Sequence, residues 1–412
     1  MSRLKTVGID EIHTLNNNNK LIMKLIVLQN KLKEGVNITE RASGKSFSLP
    51  ILGNILLRAE KNFLSLETTD LEIGVKCWVL SKTEKEGEIT IPVNVLSNFV
   101  RLLPDAPLSL EAGNDWLSLE TEGYKTRIKG LAATDFPILP KERGANSVLL
   151  PAAPFCQALE QVWDIAIVSS GRPEISGIFF IFQKETLKIA ATDSFRLAEK
   201  TLFLKQSLAG DEGYSFILPQ KTVKEIINIF GSREVAEGSR RSSNQADLKV
   251  FLGANHILVE AMMVETSHPH INLVSRLIEG EYPNYQEVIP RKFETQAIVD
   301  RNEFLKQLKL ASLFSGKINE VKIKIIPQKK VVEVSSQSPE TGQHQSFLSG
   351  AISGKEKEVS FNYKFLIDGL LKIKSSEVIF ELSERNGEPG PGVLKPVGDS
   401  SYIYVLMPMQ TS

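Results

Sequence analysis

Apolar and polar residues alternate along most of this chain with the period of two that a half-buried strand produces, and stripes of period near 3.6 interrupt the alternation at intervals. From Gly53 to Gly74, GNILLRAEKNFLSLETTDLEIG sets an alternating run, a polar turn at Glu60-Lys61-Asn62 and a second alternating run ending in Thr-Asp. From Gly177 to Ala198, GIFFIFQKETLKIAATDSFRLA repeats that order around Gln183-Lys184-Glu185. Each reads as a β-hairpin. A fainter third copy, VKIKIIPQKKVVEVSSQS from Val321 to Ser338, lacks the closing Thr-Asp.

Behind each hairpin a short apolar strand runs into an amphipathic helix: ITIPVNVLSNFVRLL from Ile89, SFILPQKTVKEIINIF from Ser215 and VSFNYKFLIDGLLKI from Val359. In the second, Val223, Ile226, Ile227 and Phe230 stand at i, i+3, i+4 and i+7, one stripe for a sheet to cover. Another helix opens each unit. Phe155, Leu159, Val162, Trp163 and Ala166 mark it in the second unit, over 152–169, and Phe304, Leu308 and Ala311 in the third; in the first it falls near Leu28 to Arg41, interrupted by Gly35. The anchors Gly53 and Gly177 are 124 residues apart, and Gly177 and Glu320 are 143 apart, so the repeating unit is a domain long. The pattern predicts an α+β chain of three tandem similar domains with two helices each, curving into an arc with the sheets outside and the helices on the inner face.

Units one and two both end in a proline-broken crossing, DFPILP (Asp135 to Pro140) and EYPNYQEVIP (Glu281 to Pro290). This places boundaries near 145 and 293: a flexible extension over 1–22, then domains over 23–145, 146–293 and 294–412. Gly231 to Asp247, Thr266 to His270 and Asn386 to Ser400, the last carrying GEPGPG, read as surface loops. The 412 residues are 42% hydrophobic and 24% charged, the composition of a folded chain of several domains. No apolar run approaches the ~20 residues of a membrane helix, and the first residues lack the features of a secretory signal. Two cysteines, Cys77 and Cys156, fit buried apolar positions in a reducing compartment, hence a cytoplasmic location.

No constellation for catalysis is visible, and no metal or cofactor is expected. Gly44-Lys45-Ser46 resembles a phosphate loop, but the required earlier glycine is replaced by Thr39, and Leu49-Pro50 breaks the helix that should follow. His268-Pro-His270 lacks cysteine or acidic ligands at metal spacing and reads as solvent-exposed loop histidines. Asp70 and Asp193 hold matching positions in the repeat, which points to a structural hydrogen bond closing the turn after the strand.

Charge is balanced overall, 49 basic against 49 acidic residues, yet unevenly placed. The six helical stretches together carry +5 and the remainder −5. A wall of such helices attracts phosphate without reading sequence. If two arcs close a ring lined by twelve helices of about 10 Å diameter, the opening is roughly 30 Å, enough for a hydrated duplex.

These residues resemble the bacterial DNA polymerase III β subunit family, the replication sliding clamps, over about 23–412. The resemblance rests on SLPILGNILL (Ser48 to Leu57), TTDLEIGV (Thr68 to Val75), AATDFP (Ala132 to Pro137), ATDSFRLA (Ala191 to Ala198), EGEYPNYQEVIP (Glu279 to Pro290) and YVLMPM (Tyr404 to Met409). It implies a non-catalytic half-ring protomer that forms a head-to-tail homodimer, encircles duplex DNA and tethers the replicative polymerase, at the nucleoid. It also implies a pocket for short apolar peptides of polymerases, the clamp loader and repair proteins. The matching pocket positions are Ile175, Thr192, Ser194, Phe195, Arg196, Leu197, Pro283, Val288, Val405, Met407, Pro408 and Met409. The DNA-facing set would be Lys31, Lys33, Arg41, Lys45, Arg172, Lys221, Lys224, Arg301, Lys306, Lys309, Lys364 and Lys372. Ser194-Phe195 stands where the family often has Gly-His, and Glu287 where a basic residue is common, which leaves the peptide preference open. The alternative is a clamp-fold peptide-binding scaffold without a replication role.

Overall fold

One element order is written three times along the chain. The computed structural model describes residues 21–44, 49–140, 146–167, 171–204, 213–231, 247–264 and 266–409; most of the 1–22 extension, Lys45 and most of the 231–247 segment lie outside the described residues. The first unit runs β1 (Met23–Leu28), α1 (Gln29–Thr39), β2 (Asn54–Glu60), β3 (Phe63–Thr69), β4 (Ile73–Lys85), β5 (Gly87–Pro92), α2 (Val93–Leu102), β6 (Pro107–Ala112), β7 (Trp116–Thr121) and β8 (Tyr124–Lys129). The second runs β9 (Asn146–Pro151), α3 (Ala152–Glu160), β10 (Gly177–Gln183), β11 (Thr186–Thr192), β12 (Arg196–Phe203), β13 (Tyr214–Pro219), α4 (Gln220–Phe230), β14 (Asp247–Leu252), β15 (His256–Met262) and β16 (Pro269–Arg276). The third runs β17 (Thr295–Asp300), α5 (Arg301–Ser312), β18 (Glu320–Ile326), β19 (Val331–Ser338), β20 (Gly342–Gly354), β21 (Lys357–Asn362), α6 (Tyr363–Lys372), β22 (Glu377–Arg385), β23 (Glu388–Pro396) and β24 (Tyr402–Leu406).

By packing, the chain divides into residues 1–141 with 259–274, and residues 142–258 with 275–412. In the first body the strands run β8-β7-β6-β1-β4-β16, and β3 joins β4 to β2 and β5. Strand β4 is long because it serves two partners, β3 up to Leu80 and β1 from Ser81. In the second body one sheet runs β13-β10-β11-β12-β24-β23-β22-β17-β20-β19-β18-β21. Here β20 repeats the trick, pairing β19 over Gly342 to Ser349 and β17 from Gly350.

Alternation explains the strands: Ile178, Phe180 and Phe182 of β10 are buried, as are Val321, Ile323 and Ile325 of β18. Each helix leaves directly from a strand. Asp300 caps α5 by accepting from the Glu303 N–H at 2.7 Å, and Asn362 caps α6 through Lys364 N–H at 3.0 Å. The apolar stripe of α4 is buried at Val223, Ile226 and Phe230. Among the described residues no helix is long and apolar enough to cross a membrane. Both cysteines are buried thiols not joined in a disulfide, and burial pushes the Cys156 thiol up to about 12.

Three expectations are corrected. Asn386 to Ser400 is mostly strand, not loop: Asn386 and Gly387 adopt left-handed backbone in a tight turn, and Glu388–Pro396 pairs with β22. Its prolines are tolerated because β24 covers only Gly392 to Leu394, leaving Pro389 and Pro391 outside that ladder beside the register shift at Leu382/Glu384. His268 is not solvent-exposed but half-buried, its ring stacked on Phe63 at 4.1 Å with Trp78 edge-on at 5.5 Å. The stripe read as helix over 152–169 leaves the α-helix at Glu160 and continues as hydrogen-bonded turns, with Val162 and Trp163 N–H both donating to Leu159 O.

Candidate partner pocket and DNA-facing residues

The turn between β11 and β12 is built by its own side chains. Asp193 Oδ1 accepts from the Phe195 and Arg196 N–H groups at 2.9 and 2.8 Å, and Thr192 Oγ1 donates to Arg196 O while accepting from Ser194 N–H. The turn at Thr69 to Ile73 has the same bonds, with Asp70 Oδ1 accepting from Glu72 and Ile73 N–H. The matched aspartates thus have the structural task their repeat positions predict. Both turns put a non-glycine residue in left-handed backbone, Leu71 at φ 78° and Ser194 at φ 77°. Ser194→Gly is therefore expected to raise stability by about 0.5–1 kcal/mol; an unchanged or lowered melting temperature would show that the Ser194 side chain earns its strain.

Arg196 fixes this turn to α6. Its Nε donates to Asp193 Oδ2 at 2.9 Å, its Nη1 to Asp368 Oδ2 at 2.5 Å, and its guanidinium lies 4.8 Å over the Phe365 ring. Burial works against the charge, but Tyr404, Asp193 and Asp368 outweigh it and hold the guanidinium above its ordinary value. Burial also pushes the Tyr404 phenol up, so at neutral pH the two carboxylates supply the countercharge. Asp368 and Phe365 have no local signature. Asp368 lies 172 residues from Arg196, and only the fold joins them.

Leu197 and Val405 face each other across the β12–β24 pairing, and both are buried with Ala190, Ile217, Tyr282, Tyr285 and Val393. The proline-broken crossing is locked onto this floor. Tyr282 Oη accepts from Thr192 N–H at 3.1 Å, and Tyr285 Oη donates to Glu199 at 2.5 Å. Burial raises both phenols, and in Tyr285 the bond to Glu199 adds to it. Around the floor, Phe195, Val288 and Met407 are 61%, 41% and 39% exposed, an apolar rim that solvent does not favour. Met407 N–H donates to Phe195 O at 2.8 Å and Met409 N–H to Ser360 O at 2.8 Å, so the Met-Pro-Met tail leaves β24 along a fixed course. Pro408 and Met409 are half-buried, Pro283 is exposed, and Ile175 is buried in the short turn before β10. In the first turn Gly74 holds the place of Leu197, and a Cβ there would come within 2.4 Å of Leu139, so that turn has no comparable floor.

The proposed DNA-facing cations differ in their engagement. Lys31, Lys33, Arg41, Arg172, Lys221, Lys224, Lys306, Lys309 and Lys364 have exposed side chains, with Lys31 3.6 Å from Glu34, Lys306 3.8 Å from Glu303 and Lys224 over the Trp163 ring. Two others are less exposed and bonded within the protein. Arg301 is half-buried and donates to Ile373 O and Asn302. Lys372 pairs with Asp164 at 2.6 Å and donates to Glu160 O at 2.9 Å, so its charge is spent inside the protein. Lys45 lies outside the described residues.

Comparison with known proteins covers the same span. The chain is 28% identical over 398 residues to the beta sliding clamp of Synechocystis sp., covering 94% of this chain and 99% of that protein. It is 27% identical over 386 residues to the beta sliding clamp of Staphylococcus aureus, covering 91% and 96%. The crystal structure of the DNA polymerase III beta subunit from Thermotoga maritima superposes with a TM-score of 0.82 at 25% identity, over 95% of this chain and 100% of that one. Models of the DNA polymerase III beta subunit match in three consecutive stretches, the N-terminal domain at residues 23–140, the central domain at 150–284 and the C-terminal domain at 286–410. Nearly the whole chain is thereby accounted for, and it belongs to the DNA polymerase III beta subunit family.

Proposed function

We propose that this chain, a sliding clamp of DNA replication and not an enzyme, works as half of a closed ring in which two copies join head to tail around duplex DNA. One observation carries the reading. Within the chain, the exposed edge that β4 and β12 each leave beside their hairpins is taken by the last strand of the following unit, β16 and β24 respectively. The corresponding edge of β20, Gly342 to Ser349, has β19 on one side and no second strand among the described residues, and β8, the last strand of the first unit, is likewise a sheet edge. An unpaired edge is a template for another chain. A second copy supplies β8 to β20, and the reciprocal contact closes the ring.

Contact with DNA in this reading is made by Lys224, Lys306, Lys309 and Lys364, with Lys31, Lys33, Arg41, Arg172 and Lys221. They contribute charge to phosphates and no base readout. Arg301 and Lys372 drop out because they are engaged elsewhere. The apolar surface around Leu197, Val405 and Met407 receives short apolar segments of the replicative polymerase, the clamp loader, other polymerases and repair proteins. The same reading keeps the domain junctions near 145 and 293 and a cytoplasmic, nucleoid-associated location. The scaffold alternative is not favoured. Loaded on a nicked circle, the protein is expected to stay bound and to leave when the circle is cut; equal loss from both DNAs would end the ring reading.

A further inference from the structure

We propose that Met407 is a modification site: hydrogen peroxide oxidises its thioether to the sulfoxide, and the oxidised rim releases apolar partner segments. The inference rests on the reading of the Leu197–Val405 surface as the partner pocket and adds to it a chemical means of release.

The sulfur atoms of the described residues differ in access. Cys77, Cys156 and Met23 are buried, at 0%, 2% and 0% exposure. A thiol attacks peroxide as its thiolate, and burial pushes the Cys156 thiol up to about 12, so that anion is scarce at neutral pH. A thioether has no proton to lose, and access governs its oxidation. Met263 and Met409 are half-buried, and the Met263 sulfur accepts from Thr266 Oγ1 at 3.6 Å. Met262 and Met407 are the open ones, both at 39% exposure. Met407 borders the proposed pocket, whereas Met262 ends β15 in the other body.

The step needs no cofactor. A sulfur lone pair takes one oxygen of the peroxide, the O–O bond breaks, and the second oxygen leaves with both hydrogens as water; sulfur loses two electrons and the peroxide gains them. The product replaces a soft apolar atom with an S–O dipole. On the open rim, water donates to that oxygen. An apolar segment seated over it strips the water away, and the floor of Leu197, Val393 and Val405 has no side-chain donor to replace it. The N–H of Met407 itself is already committed to Phe195 O. The protomer is left intact, because the tail is held by this bond and by Met409 N–H to Ser360 O, both of the backbone. Oxidation therefore removes partner affinity and spares the fold.

Peroxide titration of the full chain tests this, with sulfoxides mapped by mass spectrometry and binding read from the anisotropy of a fluorescent synthetic peptide carrying leucine and phenylalanine side chains. Met407 is expected to oxidise ahead of Met23, and peptide affinity to fall at least about tenfold in step with the Met407 sulfoxide. Methionine sulfoxide reductases for both sulfur epimers, supplied with a dithiol, are expected to restore it. Met407→Leu combined with Met409→Leu keeps an apolar rim without sulfur, and whatever affinity it has is expected not to change with peroxide. Met262→Leu is expected to keep the full response of the parent. Complete Met407 sulfoxide with unchanged affinity, a loss that persists in the double leucine variant, or a loss that tracks a lowered melting temperature overturns the switch alone. A reduced parent protein that does not bind the peptide overturns the pocket reading as well.

Discussion

Replacing Met407 and Met409 together by alanine is expected to weaken binding of a short apolar clamp-binding peptide by about 30- to 150-fold, with dimerisation unchanged. Met407 is 39% exposed at the rim of the Leu197–Val405 floor, and Met409 is half-buried beyond the proline. Each truncation removes apolar surface worth about 1–1.5 kcal/mol when a ligand covers it, and two such losses give that factor. The course of the tail should survive, because the bonds from Met407 N–H to Phe195 O and from Met409 N–H to Ser360 O belong to the backbone. Peptide titration by calorimetry is the direct measurement. An unchanged affinity would move the pocket to another surface.

Arg196→Ala should lower the stability of the protein by about 3–5 kcal/mol, the cost of removing one partner from a buried ion pair. The Arg196 side chain is 12% exposed and that of Asp193 only 1%, so solvent cannot replace the lost countercharge at Asp193. Asp368, at 48%, can be rehydrated and should add little. Combining Arg196→Ala with Asp193→Asn is expected to return part of the loss, since the amide oxygen still accepts from the two backbone N–H groups without carrying charge. Urea unfolding of the three proteins measures the cycle. A loss below about 1 kcal/mol for the single change would mean that the cluster behaves as a solvated surface pair.

Hairpins were legible wherever alternation is strict. Gly53 to Gly74 and Gly177 to Ala198 are the β2–β3 and β10–β11 hairpins with their following turns, and the paired Thr-Asp motifs identified the Asx bonds at Asp70 and Asp193. Asn386 to Ser400 was illegible because three prolines and four glycines outweigh any local strand signal; most of that segment is a strand by virtue of β22 and the limited reach of β24. His268 looked like a loop histidine because Phe63 and Trp78, on which it packs, lie some two hundred residues away. Of the proposed pocket, Leu197, Val405 and Met407 could be named from the family resemblance of their motifs, whereas Phe365 and Asp368, which hold Arg196, could not.

The amino-acid sequence by itself determined the threefold repeat, the two helices per unit, the alternating cores and the self-closing turns, because each of these depends on residues within a few positions of one another. Tertiary structure alone decided which cations stay available, which carboxylates hold Arg196, and which strand edges find partners inside the chain. Those outcomes depend largely on groups far apart in the chain: Arg196 and Asp368 are separated by 172 residues, and Glu160 O and Lys372 Nζ by 212. A period of two or 3.6 says which face of an element is apolar, and carries no information about what will cover it.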